Sequence, residues 1–111
     1  SYRCFEKYVI SHSDVFYEGK KLDDASASSF KDLGYGYGKD SFDVYFCGKI
    51  INGASANSFR LLKDGYAKDS FDVYFYGEKV SDASASSFSV DENGYAHDTF
   101  STYYFGKKIG D

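Results

Sequence analysis

The sequence lacks the features that mark membrane-spanning and nucleic-acid-binding proteins. Its 111 residues contain no apolar run of about 18 residues, so no membrane-spanning helix is predicted. The 13 Lys and Arg residues are mixed with 17 Asp and Glu residues, and the formal net charge is −4. Because nucleic-acid-binding surfaces cluster their basic residues, this distribution predicts no nucleic-acid partner. Methionine, tryptophan and proline are absent altogether.

Aliphatic core residues are also scarce, whereas aromatic residues are abundant. Tyrosine occurs 12 times and phenylalanine 11 times, which together make 21% of the chain. Most of these rings must be packed if the protein is to stay in solution, so the sequence predicts a core of stacked rings. Aromatic pairs add about 0.5–1.5 kcal/mol each beyond the burial of their area. The length predicts one domain, residues 1–111.

The sequence contains a repeat of 29 residues. The regularly spaced glycines are Gly19, Gly48, Gly77 and Gly106, and a tyrosine ladder at Tyr8, Tyr37, Tyr66 and Tyr95 keeps the same interval. A block of the type Asp-Ala-Ser-Ala-Ser-Ser-Phe ends at Phe30, Phe59 and Phe88. A period of this size is typical of stacked units that cover one another's cores. The predicted units are 1–29, 30–58, 59–87 and 88–111, the last incomplete.

Both chain ends fall at the same phase of the repeat. This phase favours either a piece of a longer array or a subunit that joins head to tail.

One unit reads as three short strands and a corner. In the third copy we predict strands at 59–62, 66–69 and 73–76, joined by a Gly65 turn and an Asp69–Asp72 turn. Gly77 is predicted to relieve twist or form a bulge, and the serine-rich block 82–88 to form one helical turn. The predicted fold is therefore an all-β, antiparallel repeat array, open and superhelical like a solenoid. The alternative is a closed, propeller-like ring.

The two cysteines occupy different phases of the repeat. Cys4 and Cys47 therefore form no repeating disulfide framework and no four-ligand metal site. Two free buried thiols are favoured over a single bridge, and both alternatives stay open.

The pattern Asp-x-x-Asp-Val-Tyr-Phe-x-Gly-x-Lys, followed by Asp-Ala-x-Ala-x-Ser-Phe, resembles the bacterial repeats of the DKNYY family. The matching positions in the third copy are Asp69, Val73, Tyr74, Phe75, Gly77, Lys79, Val80, Ala83 and Phe88. The sequence departs from the family pattern in two ways: Ser-Phe replaces Lys-Asn in the turn, and proline is missing. The resemblance implies a secreted or envelope-associated repeat protein, hence an extracellular or cell-envelope location. It supplies no catalytic residues.

Few residues suggest a metal site or a catalytic site. Carboxylate pairs recur at Asp40/Asp43 and Asp69/Asp72, but calcium takes 6–8 oxygen ligands, and an Asp in a turn needs no metal to explain it. His12 and His97 are isolated departures from the repeat. We therefore predict no metal, no cofactor and no enzymatic activity.

The best binding candidate is a second tyrosine ladder at Tyr45, Tyr74 and Tyr103. If this face were open, its rings would stack on sugars or on a proline-rich peptide; if it is closed, they pack between units, which we favour.

The sequence predicts a non-enzymatic structural or adhesive repeat module that self-assembles through repeat ends or strand edges into a filament or extended array. The alternative is a glycan- or peptide-binding module that uses the tyrosine-rich face.

Overall fold

The computed structural model describes Cys4 and residues 6–110, and in this part of the chain the fold is all-β. The strands of the first sheet are β1 (Tyr8–Ser11), β2 (Asp14–Tyr17) and β3 (Lys20–Lys21). Those of the second are β4 (Lys31–Gly34), β5 (Tyr37–Lys39), β6 (Val44–Phe46) and β7 (Lys49–Ile50). The third sheet contains β8 (Arg60–Leu61), β9 (Tyr66–Lys68), β10 (Val73–Phe75) and β11 (Glu78–Lys79). The fourth contains β12 (Ser89–Val90), β13 (Tyr95–His97), β14 (Thr102–Tyr104) and β15 (Lys107–Gly110).

Each sheet is an antiparallel meander in which strands adjacent in sequence are paired, and among the described residues none closes into a barrel. A 3₁₀ turn, Ala85–Ser87, lies in the block that joins the third sheet to the fourth. These features confirm the predicted all-β antiparallel repeat and its one-turn corner.

Three of the four sheets have a fourth strand in the described residues, which the prediction of three strands misses. Gly77 forms no bulge: Tyr76 and Gly77 are the two central residues of a hairpin turn between Phe75 and Glu78, which pair. Both have positive φ, +45° and +82°. Positive φ at both central residues is the signature of a type I′ turn, whose twist matches that of the flanking strands. The same geometry recurs at Glu18-Gly19, Cys47-Gly48 and Phe105-Gly106.

The chain divides into two compact units, Ser1–Asn57 and Ser58–Asp111. Each contains two repeats, and the division falls one residue before the predicted boundary between the second and third. The assignment of the whole chain to a single domain stays a prediction.

A phenylalanine from the corner block forms the centre of each core. In the first unit the Phe30 ring lies 4.9 Å from Tyr8 of the first sheet and 5.7 Å from Tyr45 of the second. In the second unit Phe88 lies 5.3 Å from Tyr66 of the third sheet and 5.2 Å from Tyr103 of the fourth. The corner phenylalanine therefore joins consecutive sheets, and the predicted aromatic core is confirmed.

Cys4 and Cys47 form a disulfide with their Cα atoms 5.8 Å apart. The favoured prediction of two free thiols is thus wrong. Cys47 is the first central residue of the β6–β7 hairpin turn, and its Sγ lies over Gly36, 3.0 Å from where a Cβ would be. The backbone of Cys4 passes the same place, because its carbonyl oxygen lies 3.3 Å from that position. Tertiary packing, and not the phase of the repeat, brings the two cysteines together.

Candidate functional site: repeat contacts and open end faces

The structure places the candidate binding tyrosines in the core. Tyr45 and Tyr74 are 2% exposed and Tyr103 is completely buried. Burial, followed by the charge of nearby aspartates, raises the pKa of Tyr45 and Tyr74 to about 12. Burial and the hydrogen bond to Asp98 raise that of Tyr103 to about 12 as well. This placement favours the packing interpretation, because buried rings offer no face to a sugar or peptide.

Two members of this ladder differ in one bond, which yields a test of the core. Among the described residues the buried Tyr45 hydroxyl has no hydrogen-bond partner, whereas the Tyr103 hydroxyl donates to Asp98 Oδ2 at 2.7 Å. We expect Tyr45→Phe to raise the free energy of unfolding by about 1 kcal/mol, since it removes an unpaired buried group. Tyr103→Phe should lower it by about 1–2 kcal/mol. Urea unfolding of both variants measures these changes. If the two free energies of unfolding shifted in the same direction, the assignment of an unpaired Tyr45 hydroxyl and a paired Tyr103 hydroxyl would be contradicted.

The recurrent aspartates build the turns and hold the corners. Asp40 Oδ1 accepts hydrogen bonds from Phe42 N at 2.8 Å and Asp43 N at 2.7 Å, while Oδ2 accepts one from Ser26 N at 2.8 Å. The same bonds within the turn recur at Asp69 and Asp98. Since backbone N–H groups already occupy these oxygens, the aspartates are structural. Within Cys4 and 6–110, no three His, Cys, Asp or Glu side chains group as a metal site would require.

Two lysines at equivalent positions tie the second and third sheets to the corner that follows each of them. Lys39 Nζ donates to Ala56 O at 2.9 Å, and Lys68 Nζ donates to Ala85 O at 2.8 Å and Phe88 O at 3.1 Å. Lys68 is buried, and burial, with a smaller effect of Arg60, lowers the pKa of its ammonium group. These lysines therefore satisfy corner carbonyls.

A recurrent aromatic-on-glycine contact joins consecutive repeats within each unit. In the first unit the Tyr8 hydroxyl accepts a hydrogen bond from Gly48 N at 3.1 Å, and the Tyr17 ring lies 3.0 Å from where a Gly48 Cβ would be. In the second, Gly106 N donates to the Tyr66 hydroxyl at 2.8 Å. A Cβ on Gly106 would lie 2.6 Å from the Phe75 ring. The aromatic rings of one repeat thus seat the turn glycine of the next, and a larger residue there would have to displace a ring.

We call the two aromatic residues at these positions of each repeat the ring pair, whether or not a glycine lies against them. The four ring pairs are Tyr8–Tyr17, Tyr37–Phe46, Tyr66–Phe75 and Tyr95–Tyr104, with centroids 4.7, 5.0, 4.7 and 4.7 Å apart. The last is open, since Tyr95 is 40% and Tyr104 39% exposed, against 7% for Tyr8 and 1% for Tyr66.

Gly19, the turn glycine of the first repeat, is open too. Gly19 is exposed, and among the described residues no atom lies within 4 Å of where a Cβ on Gly19 would be. In the part of the chain that the structure describes, the Tyr95–Tyr104 pair of the last repeat and Gly19 of the first repeat are therefore exposed.

A polar cluster marks the last repeat. His97 Nε2 lies 3.4 Å from Asp91 Oδ2, and His97 Nδ1 lies 3.4 Å from Thr102 Oγ1. The three positions correspond to Leu62, Lys68 and Val73 in the third repeat, which pack against or bond to the corner segment.

His97 is a surface residue, and the sheet register places two further departures from the repeat, Asp91 and Thr102, beside it. The side chains of His97 and Asp91 are 47% and 39% exposed, and both contacts are long. In the fourth repeat, this solvent-facing cluster takes the place of the residues that contact the corner segment in the third repeat. The other histidine, His12, is exposed in the β1–β2 turn and has φ of +55°.

Sequence reasoning missed the most exposed aromatic residues. Phe42, Phe71 and Phe100 lie at the tips of the aspartate turns and are 73%, 74% and 71% exposed. The signal was present, since each follows Asp-Ser or Asp-Thr within a turn, but the sequence analysis did not separate these phenylalanines from the packed rings. In the described part of the chain, no helix has the length and apolar character needed to cross a membrane.

Comparison of the sequence with known protein families finds a match. The family model described as the DKNYY family matches residues 37–111, which covers the third and fourth repeats and most of the second. The resemblance noted from the repeat pattern is thereby confirmed. No curated protein and no solved structure matches the chain.

Proposed function

The chain belongs to the DKNYY family, and from this premise we propose that it is a non-enzymatic structural or adhesive repeat module that self-assembles through its repeat ends into a filament or extended array. The observation that carries the proposal is the aromatic-on-glycine contact, which joins consecutive repeats in both units. Because this contact recurs with the period of the sequence, each added unit can bind the previous one through the same contact.

The use of the recurrent polar groups supports a structural role. Asp40, Asp69 and Asp98 accept backbone hydrogen bonds, and Lys39 and Lys68 bond to corner carbonyls. These repeating charged groups bond to the backbone and hold the fold together, which supports a structural role. The mechanism we propose is geometric, with rings and glycines in register forming an extended surface.

The alternative, a glycan- or peptide-binding module built on Tyr45, Tyr74 and Tyr103, draws no support from the structure because these rings are buried. For location we propose the extracellular space or the cell envelope, as the family resemblance implies. The Cys4–Cys47 disulfide agrees with this proposal, since disulfides persist mainly in oxidising compartments.

Light scattering and negative-stain electron microscopy over a concentration series test the proposal. We expect the average mass to rise with concentration and fibres or arrays to appear with an axial repeat equal to the length of one chain. The same samples in dilute urea, below the unfolding transition, should show fewer and shorter assemblies, because urea weakens apolar contacts. A monomer at every concentration would contradict self-assembly.

A further inference from the structure

We propose that the open ring pair Tyr95–Tyr104 of one copy seats the Glu18-Gly19 hairpin turn of a second copy. This inference rests on the proposed self-assembly and names the two surfaces that carry it. The occupant follows from the repeat itself, since the equivalent ring pairs Tyr8–Tyr17 and Tyr66–Phe75 already seat the turns that contain Gly48 and Gly106.

The receiving surface has the ring spacing of the occupied pairs, although its ring planes lie at 31° to each other against 44° and 51° in those pairs. The Tyr95 and Tyr104 centroids are 4.7 Å apart, the same distance as in the occupied pairs Tyr8–Tyr17 and Tyr66–Phe75. The Phe105 ring extends the surface, 4.6 Å from Tyr104 and 63% exposed. Because the two rings already pack against each other before association, docking costs less side-chain entropy than it would for two separate rings.

The Glu18-Gly19 turn, which would be inserted, has the backbone conformation of the seated turns. Gly19 has φ of +78°, close to the +80° of Gly48 and the +78° of Gly106, so its hairpin has the backbone shape of the seated turns. Gly48 and Gly106 are partly buried by the rings beneath them, whereas Gly19 is exposed. In the complex, Gly19 N donates to the Tyr95 hydroxyl and the Tyr104 ring lies against the Gly19 Cα.

The junction between copies is smaller than the contact inside a unit. In the third repeat Lys68 also holds the following corner segment, and Leu62 and Val73 belong to the hydrophobic cluster that this segment covers. The fourth repeat presents Asp91, His97 and Thr102 at these positions. The turn and rings alone therefore carry the junction, and assembly is reversible and depends on concentration.

The two surfaces differ, so the interface is head to tail and each bound copy still offers one free surface of each kind. Such a heterologous contact propagates unless rotation closes it into a ring. Blocking one surface should therefore cap growth, and blocking opposite surfaces on two chains should leave one usable interface.

Two single variants and their mixture test the junction. Gly19→Asn places a side chain on the turn and Tyr104→Ser removes a ring, and each should weaken self-association about 30-fold or more. Asn tolerates positive φ, so the hairpin is retained. An equimolar mixture should form a dimer of one copy of each and no larger species, as measured by sedimentation velocity. Tyr95→Phe, which removes only the hydroxyl, should weaken association about fivefold.

Matched controls separate docking from folding. Gly53→Asn makes the same change at another glycine with positive φ and, among the described residues, no atom within 4 Å of its Cβ position. Phe100→Ser removes an exposed ring of the same repeat away from the pair. Both controls should assemble like the unmodified chain, and circular dichroism should show all variants folded.

The outcomes separate this inference from the proposed function. If the unmodified chain assembles but Gly19→Asn and Tyr104→Ser assemble equally well, the junction is wrong and self-assembly stands. Failure of the mixture to form dimers, with each variant monomeric alone, also overturns the junction. If the unmodified chain stays monomeric at every concentration, both proposals fail together.

Discussion

Replacement of Phe88 by alanine is expected to lower the free energy of unfolding by about 3–5 kcal/mol, the range for removal of a buried aromatic ring. Phe88 is 3% exposed and lies between Tyr66 of the third sheet and Tyr103 of the fourth, with centroids 5.3 and 5.2 Å away. Its loss leaves a cavity and removes both ring contacts. Guanidinium unfolding followed by far-ultraviolet circular dichroism measures the change.

The matched control is Phe100→Ala in the neighbouring turn. That ring is 71% exposed, so its removal should change the free energy of unfolding by less than about 0.5 kcal/mol. If the two variants lost equal stability, the corner phenylalanine would not be the centre of the core.

Replacement of Asp98 by alanine should lower the free energy of unfolding by about 2–4 kcal/mol at neutral pH. Its carboxylate accepts hydrogen bonds from Ser84 N and Tyr103 Oη through Oδ2, at 2.8 and 2.7 Å, and from Phe100 N and Ser101 N through Oδ1, at 2.9 and 2.8 Å. Hydrogen bonds to a charged group contribute about 1.5–3 kcal/mol each and are not additive when they share one acceptor. The variant opens both the turn and the corner.

The same carboxylate predicts an acid-dependent loss of stability. Burial, the largest single effect, raises the pKa of Asp98, but the hydrogen bonds from Ser84, Tyr103, Phe100 and Ser101 together lower it from the ordinary 3.8 to about 2. A group whose pKa is lowered by folding stabilises the folded state above its unfolded pKa. This contribution should therefore be complete above about pH 4 and fall away towards pH 2.

Urea unfolding at a series of pH values from 6 down to about 2 measures this step. Asp98→Asn should flatten it, because an amide does not titrate. Glu92→Ala, at an exposed carboxylate of the same repeat, should leave the step intact. A step of the same size in Asp98→Asn would contradict the assignment.

The turn type shows where local sequence rules fail. Type I′ hairpins favour Asn or Asp before the glycine, but here that residue is Glu18, Cys47, Tyr76 or Phe105. The sequence therefore located the glycines without indicating a chain reversal after them. Tertiary contacts accompany the unfavourable φ, since Cys47 is in a disulfide and the Phe105 ring lies 6.4 Å from the Phe75 ring of the preceding repeat.

Burial shows a second limit of the sequence. Phe88 and Phe100 are the same residue type twelve positions apart, yet one is 3% and the other 71% exposed. Spacing alone did not separate them, because both recur at the same interval of 29 residues. The aspartate turn separates them, since it projects its third residue outward.

By itself, the sequence determined the repeat, the antiparallel all-β class, the aromatic core and the positions of the register glycines. These follow from periodicity, because copies with equal residues at equal spacing must share one backbone. Only the tertiary structure decided which rings are covered, how Cys4 meets Cys47, and that Asp91, His97 and Thr102 lie together. The reason is that each depends on the packing of one repeat on the next, and it is this packing that leaves Gly19 and the Tyr95–Tyr104 pair uncovered.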